Sequence, residues 1–94
     1  MACAIEARRT ARGVEVSAYV SARRAFDGRF DFTIAKTGAA GASDIVQGGE
    51  ISLAPGESDR IGVAEFSLER RARFRADLEV IGADGEVCRD VLRG

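Results

Sequence analysis

Two cysteines near opposite ends of the 94-residue chain, Cys3 and Cys88, are the side chains with the most distinctive chemistry. In an oxidising compartment they could form a disulfide between the first and last parts of the chain. Closing a loop of roughly 85 residues would contribute roughly 4.5 kcal/mol on the chain-entropy model, a large share of the stability of a small domain. Two unrelated buried thiols, or a lipid-anchored mature terminus at Cys3, would also explain these residues. A catalytic thiol is disfavoured, because the chain has no histidine to activate it.

Arginine is the second chemical feature, since Lys36 is the only lysine among the 14 basic residues. Arg73 and Arg75 are two residues apart, so in a strand they project from the same face. A second group surrounds a predicted turn and consists of Arg23, Arg24 and Arg29. A guanidinium group holds a carboxylate or an amide through a planar fork, so a local positive patch could bind an acidic, extended partner chain. A solvated, charge-mixed sheet face is the alternative interpretation.

The remaining composition argues against several classes of function. The 14 basic and 15 acidic residues nearly cancel to a net charge of −1, whereas nucleic-acid-binding proteins are usually strongly basic. Without histidine or metal-ligand spacing, the carboxylates are most simply the solvated faces of strands. The glycine-rich stretch from 37 to 49 matches neither phosphate-loop pattern. We therefore predict no catalytic residues, no metal, no cofactor and no nucleic-acid partner, and a protein that is not an enzyme.

The length of the chain leaves room for one hydrophobic core, so residues 1–94 are predicted to form a single domain. No apolar run approaches the roughly 18 residues needed to span a membrane, so no membrane partner is expected. We expect no signal peptide within these residues, and Met1 and Ala2 could be a start added where one was removed.

The elements that must position these side chains are short strands, because apolar and polar residues alternate with a period of two along most of the chain. The predicted strands are residues 3–8, 14–21, 30–36, 50–53, 60–68, 73–81 and 86–92. The pattern slips phase in the fifth strand, which predicts a bulge near residues 62–64. A helix over residues 65–79 is the one rival, and it is disfavoured because the apolar residues there recur every second position.

The stretch from Phe30 to Leu53 organises the prediction. Its residues 37–49 are rich in Gly, Ala and Ser, which predicts an exposed loop between two strands in the middle of the fold. Turns are predicted at Asp27-Gly28, at Pro55-Gly56 and at residues 83–85. Seven strands with turn signals every ten or so residues predict an all-β, seven-stranded antiparallel sandwich of the immunoglobulin type. We expect this domain to be a monomer.

The run KTGAAGASDIVQGGEISLAPGE (Lys36 to Glu57), the N-terminal Cys3 and the segment RFRADLEVIGADGEVC (Arg73 to Cys88) resemble the curli assembly proteins of the CsgH type, the alphaproteobacterial relatives of CsgC. The resemblance spans nearly the whole chain, and its glycine-rich run ending in QGGE is its most specific part. It implies a periplasmic immunoglobulin-like sandwich that keeps the major curli subunit from nucleating amyloid before export, with roles in biofilm formation.

CsgC proteins carry a basic–apolar–basic triplet, and Arg73-Phe74-Arg75 is similar to it residue for residue. They also carry a Cys-x-Cys pair in an early strand, which this chain lacks. A redox role argued from that pair therefore does not transfer, and Cys3 with Cys88 fits a structural disulfide better.

The sequence thus supports three hypotheses of different classes. The first is a periplasmic inhibitor of curli subunit nucleation that acts through transient contacts from a charged sheet face. The second is a structural or adhesive sandwich module that binds a partner stably, which would co-purify as a stoichiometric complex. The third is a thiol oxidoreductase, which an insulin reduction assay would detect.

Overall fold

The computed structural model describes residues 1–94 and contains seven β-strands and no helix. The strands are β1 (Ala2–Arg9), β2 (Val14–Ser21), β3 (Phe26–Gly38), β4 (Gly41–Leu53), β5 (Ser58–Phe66), β6 (Arg73–Gly82) and β7 (Val87–Arg93). Consequently there is no helix of the length and apolarity that crossing a membrane requires.

The strands form two antiparallel sheets that pack face to face. The first sheet has the order β1-β2-β5, and the second has the order β4-β3-β6-β7. The apolar residues of each strand fall on alternate positions, so each sheet buries one face against the other. The prediction of an all-β, seven-stranded, immunoglobulin-like sandwich is confirmed.

The core lies between the sheets and receives side chains from both. Its most deeply buried large side chains are Val16, Val20, Phe32, Ile34, Leu78 and Val80. In β6, Phe74, Ala76, Leu78 and Val80 face inward as predicted, and the intervening residues are exposed or half-buried. The alternation in β6 therefore fixes which of its side chains reach solvent.

The prediction of a loop over residues 37–49 is wrong. These residues continue β3 and form most of β4, and a two-residue turn at 39–40 joins the paired Gly38 and Gly41. Small side chains did not prevent strand formation, because the backbone ladder to β3 supplies the hydrogen bonds and little burial is required at an edge. The strand after the supposed loop is accordingly a sheet edge and not the middle of the fold.

The prediction of a turn at Asp27-Gly28 is also wrong, since both residues lie in β3. The chain instead passes from β2 to β3 over residues 22–25, which precede both of these residues. Gly28 is needed for close approach: a Cβ there would collide with the carbonyl oxygen of Ile81 and lie 2.9 Å from the ring of Phe26. A glycine that reads as a turn signal in the sequence serves here as a packing contact between β3 and β6.

Two other predictions about turns and irregularities are confirmed. The bulge falls at Ile61, where the register of β5 against β2 skips one residue, next to the predicted position. The turns at Pro55-Gly56 and at residues 83–85 are present, with positive φ at Gly56 (80°) and Gly85 (92°).

Candidate protein-binding surface

The face of the second sheet that points away from the core carries most of the arginines singled out above. We call it the outer face. Register places Ala35 of β3 beside Arg75 of β6, and Arg75 beside Arg93 of β7. Because side chains alternate, the members of this row project on the same side of the sheet.

One end of the outer face is strongly basic. It consists of Arg73 and Arg75 of β6, Arg93 of β7 and Arg71 in the loop before β6, and we call this group the basic end. Arg75 and Arg93 are directly opposite each other across two paired strands. Like charges in that position destabilise a sheet, so strand pairing gives no reason for this arrangement.

Arg75 is the one member of the basic end that forms an ion pair. Its Nε lies 3.0 Å from Oδ2 of Asp77, two residues along the same strand, and both side chains are about half exposed. The hydrogen bond from Arg75 to Asp77, with their mutual attraction, raises the pKa of Arg75 above its ordinary value. An exposed pair of this kind is weak, so a carboxylate from a partner could compete with Asp77 for the guanidinium group.

Arg71, Arg73 and Arg93 form no ion pair within the chain. Together with Gly94 they line a shallow depression at the end of the sheet. Arg71 has a φ of 69°, a left-handed conformation that costs a residue with a side chain some strain. Three guanidinium groups are therefore left free to bind an acidic or amide-rich segment.

Phe74, the apolar centre of the Arg73-Phe74-Arg75 triplet, holds the basic end in place. Its ring is buried in the core and meets the ring of Phe66 edge to face, with centroids 5.4 Å apart. Its backbone N–H and C=O exchange two 3.0 Å hydrogen bonds with Gly94. These bonds fix the last residues of β7 beside β6, which positions Arg93 next to Arg75.

Sequence reasoning missed Arg93 and Arg71. The last strand was predicted to end at residue 92, one position short of Arg93, although the alternation Arg89, Val91, Arg93 was available to extend it. Nothing in the sequence marks Arg71, because its approach to the sheet depends on the conformation of the loop.

The structure does not bring Arg23, Arg24 and Arg29 together with the basic end. Arg23 and Arg24 lie in the link between β2 and β3, while Arg29 lies within β3, opposite Glu50 and Ile81. Ala35 lies six positions after Arg29 in β3, a distance of roughly 20 Å along the strand. The predicted arginines therefore form two separate groups at opposite ends of the outer face.

The rest of the outer face is mixed in charge and rich in carboxylates. Glu79 accepts a hydrogen bond of 2.7 Å from Arg89 across β6 and β7. Further acidic side chains project from β3 and β4, namely Asp27, Asp31, Asp44 and Glu50. The outer face is thus polarised across its strands, since the basic end lies on β6 and β7 while the β4 side, including Asp44 in the same cross-strand row as Arg75 and Arg93, is acidic.

The cysteines meet as the disulfide hypothesis requires. Cys3 of β1 and Cys88 of β7 form a disulfide with a Cα–Cα distance of 6.1 Å, and the chain has no free cysteine. The bond joins the edge strands of the two sheets. No group of three or more His, Cys, Asp or Glu residues is arranged to hold a metal ion.

Comparison with known proteins gives a consistent result. The family model described as CsgH protein matches residues 2–91. The solution structure of R. palustris CsgH is similar, with a TM-score of 0.74 and 25% identity, covering 94% of this chain and 88% of that one. The E. coli curli protein CsgC has a TM-score of 0.84 at 11% identity, covering 96% of this chain and 95% of that one, a likeness of fold.

A weaker likeness extends beyond these proteins. The sporulation control protein Spo0M of Bacillus subtilis has a TM-score of 0.52 at 11% identity, covering 99% of this chain and 48% of that one. A search of the curated proteins gave no match.

Proposed function

The chain belongs to the CsgH family, and we propose that it is a chaperone-like inhibitor that keeps an amyloid-forming curli subunit from nucleating. Membership in this family, together with the fold shared with a curli protein, supports a role in curli assembly. The curli subunit is called the client below. The proposal places the protein in the periplasm, as a monomer without catalytic activity or cofactor.

The observation that carries the proposal is the basic end of the outer face. Arg71, Arg73 and Arg93 have no carboxylate partner in the chain, and the buried Phe74 holds the strands that present two of them. Guanidinium groups fixed on a rigid sheet can hold carboxylates and backbone or side-chain amides of an extended segment.

Electrostatic attraction of this kind acts mainly on the rate at which the two proteins encounter each other. A protein with a net charge of −1 can still carry a local positive field, and such a field raises the rate at which an acidic segment arrives. Nuclei are rare species, so a weak and transient contact with them is sufficient to delay fibril growth at low molar ratios of inhibitor.

The disulfide supports the proposed compartment. Structural disulfides persist in oxidising environments such as the bacterial periplasm and are rare in the cytosol. The Cys3–Cys88 bond is therefore consistent with a protein that meets its client before export.

The test is a fibril-growth assay with purified client and a small molar fraction of this protein. We expect the wild type to lengthen the lag phase. The double variant Arg73→Glu, Arg93→Glu should lose most of that delay, because it reverses the charge of two free guanidinium positions. The matched control is Arg23→Glu, Arg24→Glu, which changes the net charge equally at the other end and should retain the delay.

The outcomes separate the function from its site. An unchanged lag phase with the wild type would reject the proposed function. Loss of delay in the control but not in the basic-end variant would move the site to Arg23, Arg24 and Arg29. A stable stoichiometric complex with no delay would favour the adhesive module. Raising the ionic strength to about 1 M shortens the Debye length to about 3 Å and should weaken a delay that depends on the basic end.

A further inference from the structure

Each sheet of the sandwich has two edges, and on one side of the molecule both edges are joined. The disulfide links β1 to β7, and Oδ2 of Asp90 in β7 accepts a hydrogen bond of 2.8 Å from the backbone N–H of Ile5 in β1. The hydrogen bond occupies the outward N–H of Ile5, and the disulfide holds β1 and β7 side by side. A strand could therefore not pair along the whole of the β1 edge without displacing the bond to Asp90.

The edge at β5 is blocked by a side chain and by a bulge. The amide of Gln47, a β4 residue, accepts a hydrogen bond of 3.1 Å from the backbone N–H of Val63 and donates one of 2.7 Å to its C=O. At Val63 it thus occupies the N–H and C=O positions that an added strand would use. The bulge at Ile61 disturbs the edge two residues away.

The edge at β4 has free backbone groups, and the hydrogen-bond pattern identifies them. Phe74 exchanges both backbone bonds with Gly94, so the even-numbered residues of β6 bond to β7 and the odd-numbered ones to β3. The same alternation carried through β3 assigns the odd-numbered residues of β4 to β3. The outward N–H and C=O groups of β4 therefore belong to Ala42, Asp44, Val46, Gly48, Glu50 and Ser52.

This edge lacks most of the usual protections against strand addition. Natural edge strands are commonly short, bulged, or marked by Pro or by charged side chains, especially Lys, and of these β4 has only the carboxylates Asp44 and Glu50. β4 is 13 residues long, contains no Lys, Arg or Pro, and pairs with β3 without a break in register. At its centre Val46 is 72% exposed, more than any other large hydrophobic side chain of the chain.

We propose that the outer edge of β4 accepts an extended segment of the client as an added strand, an inference that rests on the proposed function. Amyloid-forming segments pair as strands through their backbone N–H and C=O groups, and a free sheet edge offers the complementary groups. The added strand would place neutral or basic side chains opposite Asp44 and Glu50, with an apolar side chain near Val46. Gly48, which shares the outer face with Val46, leaves space for a bulky one.

A second copy of this chain fits the edge poorly. Antiparallel pairing of two β4 strands over their full length is centred on Gln47, because β4 runs from Gly41 to Leu53. That register places Asp44 of each copy opposite Glu50 of the other, and two pairs of like charges directly opposite destabilise a sheet. Charge therefore favours a client strand over self-association.

Strand addition at this edge explains how growth would stop. The client strand would be paired on one side by β4, while the β1 edge is occupied at Ile5 and the β5 edge at Val63. A nucleus that bound β4 would gain no new edge from the inhibitor. The basic end would raise the encounter rate, and β4 would provide the contact that ends addition.

The direct test is amide hydrogen exchange of isotopically labelled protein with unlabelled client monomer at a concentration that saturates the spectral changes. We expect exchange at Asp44, Val46, Gly48 and Glu50 to slow several-fold. The adjacent odd-numbered amides, already bonded to β3, should change little. A synthetic peptide with the sequence of an amyloid-forming client segment serves as a second probe.

The variant that tests the same edge in the fibril assay is Val46→Pro. It removes one free N–H without breaking a bond to β3, so a native spectrum is expected together with a several-fold smaller delay. Val46→Lys is a second variant, and Val91→Lys is its control, since it adds the same charge to β7 in the same row of the outer face.

Each outcome decides the inference separately from the proposed function. Slowed exchange at the four amides supports strand addition even if the wild type fails to delay fibrils, in which case the proposed function falls alone. Unchanged exchange with saturating client, or full delay by Val46→Pro where the wild type delays, overturns strand addition and leaves the function standing. Protection that rises with the concentration of this protein without client identifies a second copy and also overturns it.

Discussion

The two sheets of the sandwich are joined by different bonds along its two long sides. At the β1–β7 side, a disulfide and a charge-assisted hydrogen bond from Ile5 to Asp90 join the two sheets. On the other side, β4 and β5 are linked by the side-chain amide of Gln47, which bonds the backbone of Val63. The first side carries covalent stabilisation, and the second leaves one strand edge exposed.

In this small domain, one side therefore contributes covalent stability, while the other presents a strand edge to which a partner can bind. A chain of 94 residues buries a limited core, so a covalent link contributes a large share of its stability. With that link on one side, the stability of the fold does not depend on hydrogen bonds at the outer edge of β4. The comparison makes four predictions, which follow from the largest expected effect to the smallest.

Replacing both cysteines, as Cys3→Ser with Cys88→Ser, should reduce the free energy of unfolding by about 4.5 kcal/mol, because the denatured chain regains the entropy of a long open loop. Urea unfolding followed by circular dichroism measures this loss. Reduction of the wild type with a thiol is the matched control and should give the same destabilisation. A loss no larger than that of Asp90→Ala would contradict the assignment of stability to this side.

Asp90→Ala should cost about 2 kcal/mol, because it leaves the buried N–H of Ile5 without an acceptor. The same urea titration measures the effect. Asp90→Asn retains an oxygen acceptor and should lose clearly less. Equal losses in the two variants would show that the carboxylate charge, and not the hydrogen bond, accounts for the stabilisation by Asp90.

Gln47→Ala should cost about 1 kcal/mol, because it removes two neutral hydrogen bonds at an exposed position. The sharper measurement is amide exchange at Val63, which should become faster by several-fold. Gln47→Glu keeps the acceptor for the Val63 N–H but loses the donor, so its exchange should be intermediate. Unaltered exchange in Gln47→Ala would mean that the β5 edge is protected by another group.

The smallest effect concerns the loop that carries Arg71. Glu69 in this loop accepts a hydrogen bond from Lys36 of β3, and that bond lowers the pKa of Glu69 below its ordinary value of 4.5. The pair therefore stabilises the fold at and above pH 4.5 and is lost as the pH falls through the lowered pKa.

We expect amide exchange of residues 68–72 to increase across that acidic window, while a carbon NMR titration of the Glu69 carboxyl group reports the pKa. The control is Lys36→Met, in which the pKa of Glu69 should return towards its ordinary value. A titration that is the same in both proteins would show that Lys36 does not hold the loop.

The fold could be predicted well in strands with one buried face, because there apolar and polar residues alternate along the sequence. The core positions of β6 could be assigned because they alternate with more polar residues, and the structure shows them alternating with exposed or half-buried ones. These core positions are Phe74, Ala76, Leu78 and Val80. The glycine-rich half of the β3–β4 hairpin could not be predicted, because its strand is specified by backbone pairing with β3 and not by its own side chains.

The candidate site was predictable only in part, for a related reason. Arg73 and Arg75 follow from spacing along one strand, whereas the proximity of Arg93 depends on register and on the bonds between Phe74 and Gly94. The separation of Arg29 from them required the direction and length of β3. The free edge of β4 required the strand order, which local patterns do not contain.

The central claim is that the client meets the outer face and the β4 edge, and not the first sheet. Paramagnetic relaxation with a spin-labelled client monomer tests it most directly. The predicted result is signal loss at the amides of β4 and at Arg73, Arg75 and Arg93, with residues 2–9 of β1 unaffected. Signal loss concentrated on β1 and β2, with β4 and the arginines unchanged, would contradict the claim.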